Sequence, residues 1–247
     1  VLFTGTPCQT LSVKRFWEAA GGDRQQLLLV DNICHGASSP GTWRDYLEIL
    51  KGRLPRGEEL LSVNMRPRQE KESKKARTLV SSKGRSLEEG KSFSYRKLYA
   101  AGVITRRSCY ACPFACEERG SDITLGDFWN AKAAGLKGLP KEGISEVLLN
   151  TSQGRDAFEK LSLLKEETSL QKAWQPHLSA PMACPKGRKA FWNSYLAGED
   201  KEGLFAKTMK GSLMGRMIQT LMPILQETGL YVAAGKVFAL IKGRRKP

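Results

Sequence analysis

The sequence predicts an α/β fold, a mixed, partly parallel sheet flanked by helices, with a helical, basic C-terminal extension. Three observations point there. Short apolar runs alternate with helical spacing through the first fifty residues, and two more runs of buried-strand type follow near 122 and 147. From about residue 186 onward the chain turns helical and basic, broken by Gly and by Pro223. The division this suggests is a domain over 1–185 and an extension over 186–247.

Val1-Leu2-Phe3-Thr4 reads as a short strand entering the turn Gly5-Thr6-Pro7-Cys8. A helix follows, with Val13, Phe16, Trp17 and Ala20 at i, i+3, i+4, i+7 and Gly21-Gly22 as its stop. Leu27-Leu28-Leu29-Val30 is a continuous apolar run of buried-strand type, ending in Asp31-Asn32-Ile33-Cys34-His35-Gly36. Ser38 or Ser39 caps the next helix, which has Pro40 in its first turn and repeats the spacing in Trp43, Tyr46, Leu47 and Leu50. Residues 53–91 are polar and basic, a strand or hairpin excursion with pieces at 61–65 and 78–80 and an exposed loop. Residues 92–105 read as a helix of weak periodicity. Asp122-Ile123-Thr124-Leu125 is a strand ending at Gly126-Asp127-Phe128-Trp129, and a Gly/Lys-rich loop over 131–143 leads to the strand Val147-Leu148-Leu149. Thr151 or Ser152 caps a helix bearing Ala157, Phe158, Leu161 and Leu164.

At 247 residues the chain can build a full core without disulfide or metal staples. Its 40% hydrophobic and 26% charged residues argue against wholesale disorder, collagen and coiled coil. No run of about 18 apolar residues is present, so no membrane-crossing helix is expected. The chain opens on Val1-Leu2-Phe3 without an initiator Met or signal-peptide pattern, which reads as a fragment of a longer polypeptide.

The formal net charge is +15, and two segments carry most of it. Residues 205–247 hold eight Lys and Arg against Glu227 alone, and residues 66–85 hold eight against Glu70 and Glu72. A nucleic-acid partner is not favoured, because neither run interleaves aromatics for base stacking. A solvated surface or an acidic partner fits better.

Six cysteines in a long chain without secretory features predict reduced thiols, and hence metal or redox chemistry. With only His35 and His177 as histidines, any metal centre is thiolate-dominated, which favours iron–sulfur or zinc. Cys8 lies five residues beyond Phe3 and Cys34 four beyond Val30, each just past the carboxyl end of its strand. Parallel strands end on one sheet edge, where open α/β folds hold ligands, so these two thiols are expected to face one crevice. Cys109-Tyr110-Ala111-Cys112 presents two more thiolates, and the four suit a 4Fe-4S cluster. Zinc held by the same cysteines, or with Cys116, is the alternative. A thioredoxin-like dithiol is disfavoured because no clear strand leads into the pair. A radical S-adenosylmethionine site fails because the spacing is Cys-x2-Cys-x3-Cys, the reverse of what it needs.

Other residues read two ways. Gly5-Thr6-Pro7 offers backbone N–H groups and a helix N-terminus to a phosphate, or is a plain strand-to-helix turn. Asp127 suits a hydrogen bond to a cofactor ribose or ring, or a turn-forming role. His35 suits a hydrogen bond to cluster or flavin, or a structural place. Trp43, Trp129, Trp174 and Trp192 read as core rather than cofactor platforms.

Four ordered motifs then combine: Thr4-Gly5-Thr6-Pro7-Cys8-Gln9, Ile33-Cys34-His35-Gly36, Arg107-Ser108-Cys109-Tyr110-Ala111-Cys112 and Asp122-Ile123-Thr124-Leu125-Gly126-Asp127-Phe128-Trp129. Together, across roughly 1–165, they resemble the C-terminal domain of the coenzyme F-420 hydrogenase/dehydrogenase beta subunit family. The resemblance implies an iron–sulfur flavoprotein over 1–185, with FAD beside a 4Fe-4S cluster. Such domains pass electrons to or from a two-electron carrier, the deazaflavin F-420 in founding members. On that likeness Cys8, Cys34, Cys109 and Cys112 match the cluster ligands, and Thr4, Gly5, Thr6, Pro7 and Asp127 match positions near the flavin. Cys116 and Asn130 depart from the pattern, the first as a spare thiol or competing ligand, the second in place of a common Gly.

The implied partners are a ferredoxin-type electron donor, or a ferredoxin-like module preceding Val1, and a small-molecule acceptor. Many relatives look like bacterial proteins associated with surface polysaccharide genes, so that acceptor need not be F-420. Backbone N–H groups of the Gly5–Cys8 and His35-Gly36 turns are expected to tune the cluster by hydrogen-bonding its sulfurs. A cytoplasmic protein is expected, with peripheral membrane contact through 205–247, where Leu213, Met217, Leu221, Leu225 and Val232 form an apolar stripe with basic flanks. The competing class is a zinc-stapled nucleic-acid-binding or assembly module without catalysis.

Overall fold

The computed structural model describes residues 1–64, 78–81, 86–88, 95–129, 131, 134–136 and 143–210. In chain order it contains β1 (Leu2–Gly5), α1 (Pro7–Ala19), β2 (Leu28–Asn32), α2 (Pro40–Gly52), β3 (Leu60–Asn64), β4 (Thr78–Ser81), β5 (Ser86–Glu88) and α3 (Tyr95–Ala100). There follow β6 (Ile123–Asp127), β7 (Ser145–Leu149), α4 (Ser152–Glu159), α5 (Leu170–Ala173), α6 (Arg188–Leu196) and α7 (Lys201–Lys210). Single 3-10 turns lie at Arg24–Gln26, Arg107–Ala111 and Pro176–Leu178. The fold is α/β, as the sequence predicts. The basic loop between β3 and β4 and the stripe from Leu213 to Val232 fall outside the described residues.

The described residues form two compact units, one drawn from 1–35 and 111–181, the other from 36–110 and 182–210. The first unit carries the four-stranded sheet, ordered β1-β2-β6-β7. β1, β2 and β6 run parallel and β7 returns antiparallel to β6. The register pairs Gly5 with Asp31 and Asn32 with Leu125. Leu27 and Leu29 are fully buried, and Ile33, Ile123, Trp174 and Leu178 complete much of the core. Both α1 and α4 pack against β2, covering the strand that reads as a continuous apolar run.

Asp122 ties this unit together. Its Oδ1 accepts from Arg24 at 2.7 Å and from the Thr151 hydroxyl at 2.7 Å, and its Oδ2 accepts from the Leu29 N–H at 2.8 Å. Thr151 Oγ1 also accepts from the Gly154 N–H at 3.1 Å, so the residue that caps α4 docks the helix on the sheet.

The second unit contains an antiparallel sheet, ordered β3-β4-β5, so the excursion after α2 has three strands rather than one hairpin. Its core is aromatic and aliphatic. Tyr46 and Leu50 of α2, Tyr95 and Leu98 of α3, Phe191 of α6, and Leu204, Phe205 and Met209 of α7 are all buried together. The apolar side of α6 and α7 thus packs on α2 and α3.

Three helices depart from the sequence reading. In α1 the buried residues are Pro7 and Thr10, while Phe16 is 74% exposed, so the apolar spacing does not mark the buried face. The helix expected over 92–105 ends at Ala100, because Gly102 takes φ +74° and its N–H turns back to the Tyr99 carbonyl. The helix after Thr151 ends at Glu159, leaving Leu161 and Leu164 exposed beyond it.

Candidate functional site

The site grows from the carboxyl end of the parallel strands. Gly5 pairs with Asp31, and three residues further along each chain segment stand Cys8 and Cys34. Asn32 pairs with Leu125, and two residues further along stand Cys34 and Asp127. The register therefore carries Cys8, Cys34 and Asp127 past the same edge of three adjacent strands, where open α/β sheets hold ligands.

The turn into α1 is held by Gln9, a residue to which the sequence alone assigns no role. Its Oε1 accepts from the Thr6 N–H at 2.9 Å and from the Thr6 hydroxyl at 3.0 Å. Pro7 has no N–H, and the Gln9 N–H bonds to the Thr6 carbonyl at 2.9 Å. The donors that a phosphate would take at Gly5-Thr6-Pro7 are thus largely engaged within the turn. What the turn does present is a thiol: Cys8 is exposed, with its sulfur 3.2 Å from Thr6 Oγ1.

Cys109 belongs to the second unit, in the 3-10 turn Arg107–Ala111. It packs against Gly36 and Ala37, the residues that follow Cys34 and His35 in the chain. The Ala37 N–H donates to Cys109 Sγ at 3.5 Å. Gly36 has φ +94°, and a Cβ there would lie 2.8 Å from Thr105 Cγ2 and 3.4 Å from Cys109 Cβ. Only glycine fits that close approach. Tyr99 donates to the Gly36 carbonyl at 2.7 Å and fixes the turn.

Cys112 and Cys116 return to the first unit, both partly buried. Cys116 Sγ donates to the Glu118 carbonyl at 3.0 Å, which occupies the thiol that departs from the family pattern. Among the described residues no group of three or more His, Cys, Asp or Glu side chains stands close enough to hold a metal ion. Thiols outside any disulfide are the donor type that an iron–sulfur centre uses.

His35 lies in the first unit with its ring against two others. The His177 ring is edge-on at 4.3 Å between centroids and Trp129 lies at 5.1 Å. Trp174 is buried, as a core residue should be. Beside them, Gln175 is 1% exposed and donates to the Asp127 carbonyl at 2.7 Å and to Glu146 Oε2 at 2.8 Å. Burial pushes the Glu146 carboxyl up to about 7 against the pull of the Gln175 bond. Burial also lowers the His177 imidazole from its ordinary value, opposed by a backbone hydrogen bond at Ala180. Sequence alone does not single out Glu146, Gln175 or His177, since each contacts residues distant along the chain. A buried Glu in an edge strand has no sequence signature.

A mixed α/β sheet with thiols past the carboxyl edge of its parallel strands is of the open-sheet class, in which that edge is where ligands are held. Within that class the match is specific. The family model for the C terminus of the coenzyme F420 hydrogenase/dehydrogenase beta subunit matches residues 1–171, and the chain belongs to that family, one of oxidoreductase subunits. Comparisons with curated proteins and with solved structures give no match.

Proposed function

We propose that this chain is the electron-transferring domain of an iron–sulfur flavoprotein. In this reading Cys8, Cys34, Cys109 and Cys112 ligate a 4Fe-4S cluster, while Thr4, Gly5, Thr6, Pro7, His35 and Asp127 lie near the FAD. The turn from Thr4 to Pro7 lines it rather than donating to its phosphates, since Gln9 already engages Thr6. The observation that carries it is the strand register, which sends Cys8, Cys34 and Asp127 past one sheet edge.

When bound, the cluster and flavin would supply the exchange between single-electron and two-electron transfer. The chain's residues orient and tune. The Ala37 N–H at Cys109 Sγ stabilises negative charge on that sulfur, which raises the reduction potential. Gln175 grips the Asp127 carbonyl and Glu146 at once, fixing the end of β6. The proposed reductant is a ferredoxin-type protein or module, and the acceptor a small organic molecule, deazaflavin-like or polysaccharide-associated. Reduced thiols suit a cytoplasmic place. No described helix is long and apolar enough to cross a membrane. Contact of 205–247 with anionic lipid is a proposal that vesicle flotation checks.

Anaerobic purification with iron, sulfide and flavin quantitation tests the reading. Wild type should carry about four iron and four sulfide per chain, and Cys34→Ser should lose most of both. Iron unchanged in Cys34→Ser removes that residue from the ligand set. Zinc without sulfide or flavin would instead identify the zinc-stapled module.

A further inference from the structure

One guanidinium in the first unit touches the approaches to several cysteines. Arg119 pairs with Asp31 at 3.0 Å, with side chains 2% and 1% exposed respectively. The same guanidinium donates to the carbonyls of Phe114 at 2.9 Å, Cys116 at 3.5 Å and Asn32 at 3.1 Å, and Nε donates to Thr124 Oγ1 at 3.3 Å. Asp31 stands three residues before Cys34 and is the register partner of Gly5, itself three before Cys8. Phe114 lies two residues after Cys112. Arg119 and Asp31 also line a small cleft with Pro7 and Leu11 of α1.

Stability alone does not account for this pair. A buried ion pair is often no better for the fold than apolar side chains of the same volume. Here Asp31 Oδ1 is buried without a hydrogen-bond partner among the described residues, so the carboxylate is only half used. What the pair does supply is register. A planar fork with several fixed donors holds a loop in one place, as a lysine with its single ammonium cannot.

We propose that Arg119 is the positioning residue that fixes the loop carrying Cys112 on the sheet edge carrying Cys34. Its purpose, to hold cluster ligands in register, rests on the function proposed above. The groups it joins, Asp31 and Asn32 on one side and Phe114 and Cys116 on the other, are separated by more than eighty residues of chain.

The test uses the full chain, purified anaerobically, in two variants. Arg119→Lys keeps the charge and loses the fork. Arg119→Gln combined with Asp31→Asn removes both charges together and so avoids an unpaired buried ion. Three measurements are made on each: amide hydrogen exchange over 112–118, iron loss to a chelator, and the electron paramagnetic resonance spectrum of the reduced protein. Both variants should exchange faster in that loop, lose iron roughly 10–100-fold faster, and shift the spectrum. Unchanged exchange in both variants overturns the proposal. So does faster exchange with wild-type iron loss and an unshifted spectrum. A wild-type chain without iron or sulfide would remove the cluster reading instead, and loop exchange would then decide the clamp by itself.

Discussion

Glu146 shows how a single buried group sets the pH response of the fold. It is 4% exposed, its Oε2 accepts from Gln175, and its Oε1 has no hydrogen-bond partner among the described residues. Its folded carboxyl titrates at about 7, against an ordinary value of 4.5. Below about 4.5 the group is protonated whether folded or not, and stability is unaffected. Between about 4.5 and 7 the unfolded chain releases this proton while the folded carboxyl keeps it, so stability falls across that window, by on the order of 3 kcal/mol in all, and levels off above 7. His177 acts in the opposite sense, since its lowered imidazole favours folding above its ordinary value and opposes it as pH falls. Urea midpoints of wild type and Glu146→Gln at pH 5 and pH 8 should therefore differ in slope. The variant should gain stability toward pH 8 relative to wild type, and equal pH dependence would exclude the assignment. The cysteines at this edge are legible in sequence because strand ends and Cys spacing are local patterns. Arg119, Glu146 and Gln175 are not, because what distinguishes each is a partner many residues away, brought near only by the sheet.

Elements are legible where apolar pattern and burial coincide, as in β2 and α2, whose Leu29, Tyr46 and Leu50 are all buried. They mislead where the two part company. The apolar spacing of α1 ends on an exposed Phe16, and the stretch after α4 keeps helical spacing in Leu161 and Leu164 without helix. Short strands paired by backbone, such as β5, offer too few residues for a period to show. The close approach of α4 to the start of β6 gives a prediction at this scale. A Cβ on Gly154 would lie 2.3 Å from the Asp122 carbonyl oxygen, which is fixed backbone. Gly154→Ala should cost about 1–3 kcal/mol through overpacking, although alanine favours helix over glycine by about 1 kcal/mol. Gly52, at the end of α2, has nothing within 4 Å of such a Cβ. Gly52→Ala should be neutral or stabilise by up to about 1 kcal/mol. Denaturant midpoints of the pair separate close packing from helix propensity, and equal effects would refute the steric account.

At the scale of the whole molecule the governing quantity is the net charge of +15. A field of that sign attracts an acidic electron donor before any contact is made, and it acts on the association rate more than on the docked affinity. Screening length shrinks from about 30 Å at 0.01 M salt to about 3 Å at 1 M, so the attraction is lost across that range. If an acidic ferredoxin-type protein is the reductant, its second-order rate should fall roughly tenfold or more between those limits. Stopped-flow reduction at several ionic strengths measures this. A chain carrying Lys74→Glu, Lys75→Glu and Arg77→Glu changes six units of charge in the segment that is densest in Lys and Arg. Its rate should begin lower and depend less on salt, while reduction by an uncharged donor is unchanged. A rate that ignores both salt and the triple substitution would mean that this charge serves a different partner, and the anionic-vesicle measurement on 205–247 then becomes the next comparison to make.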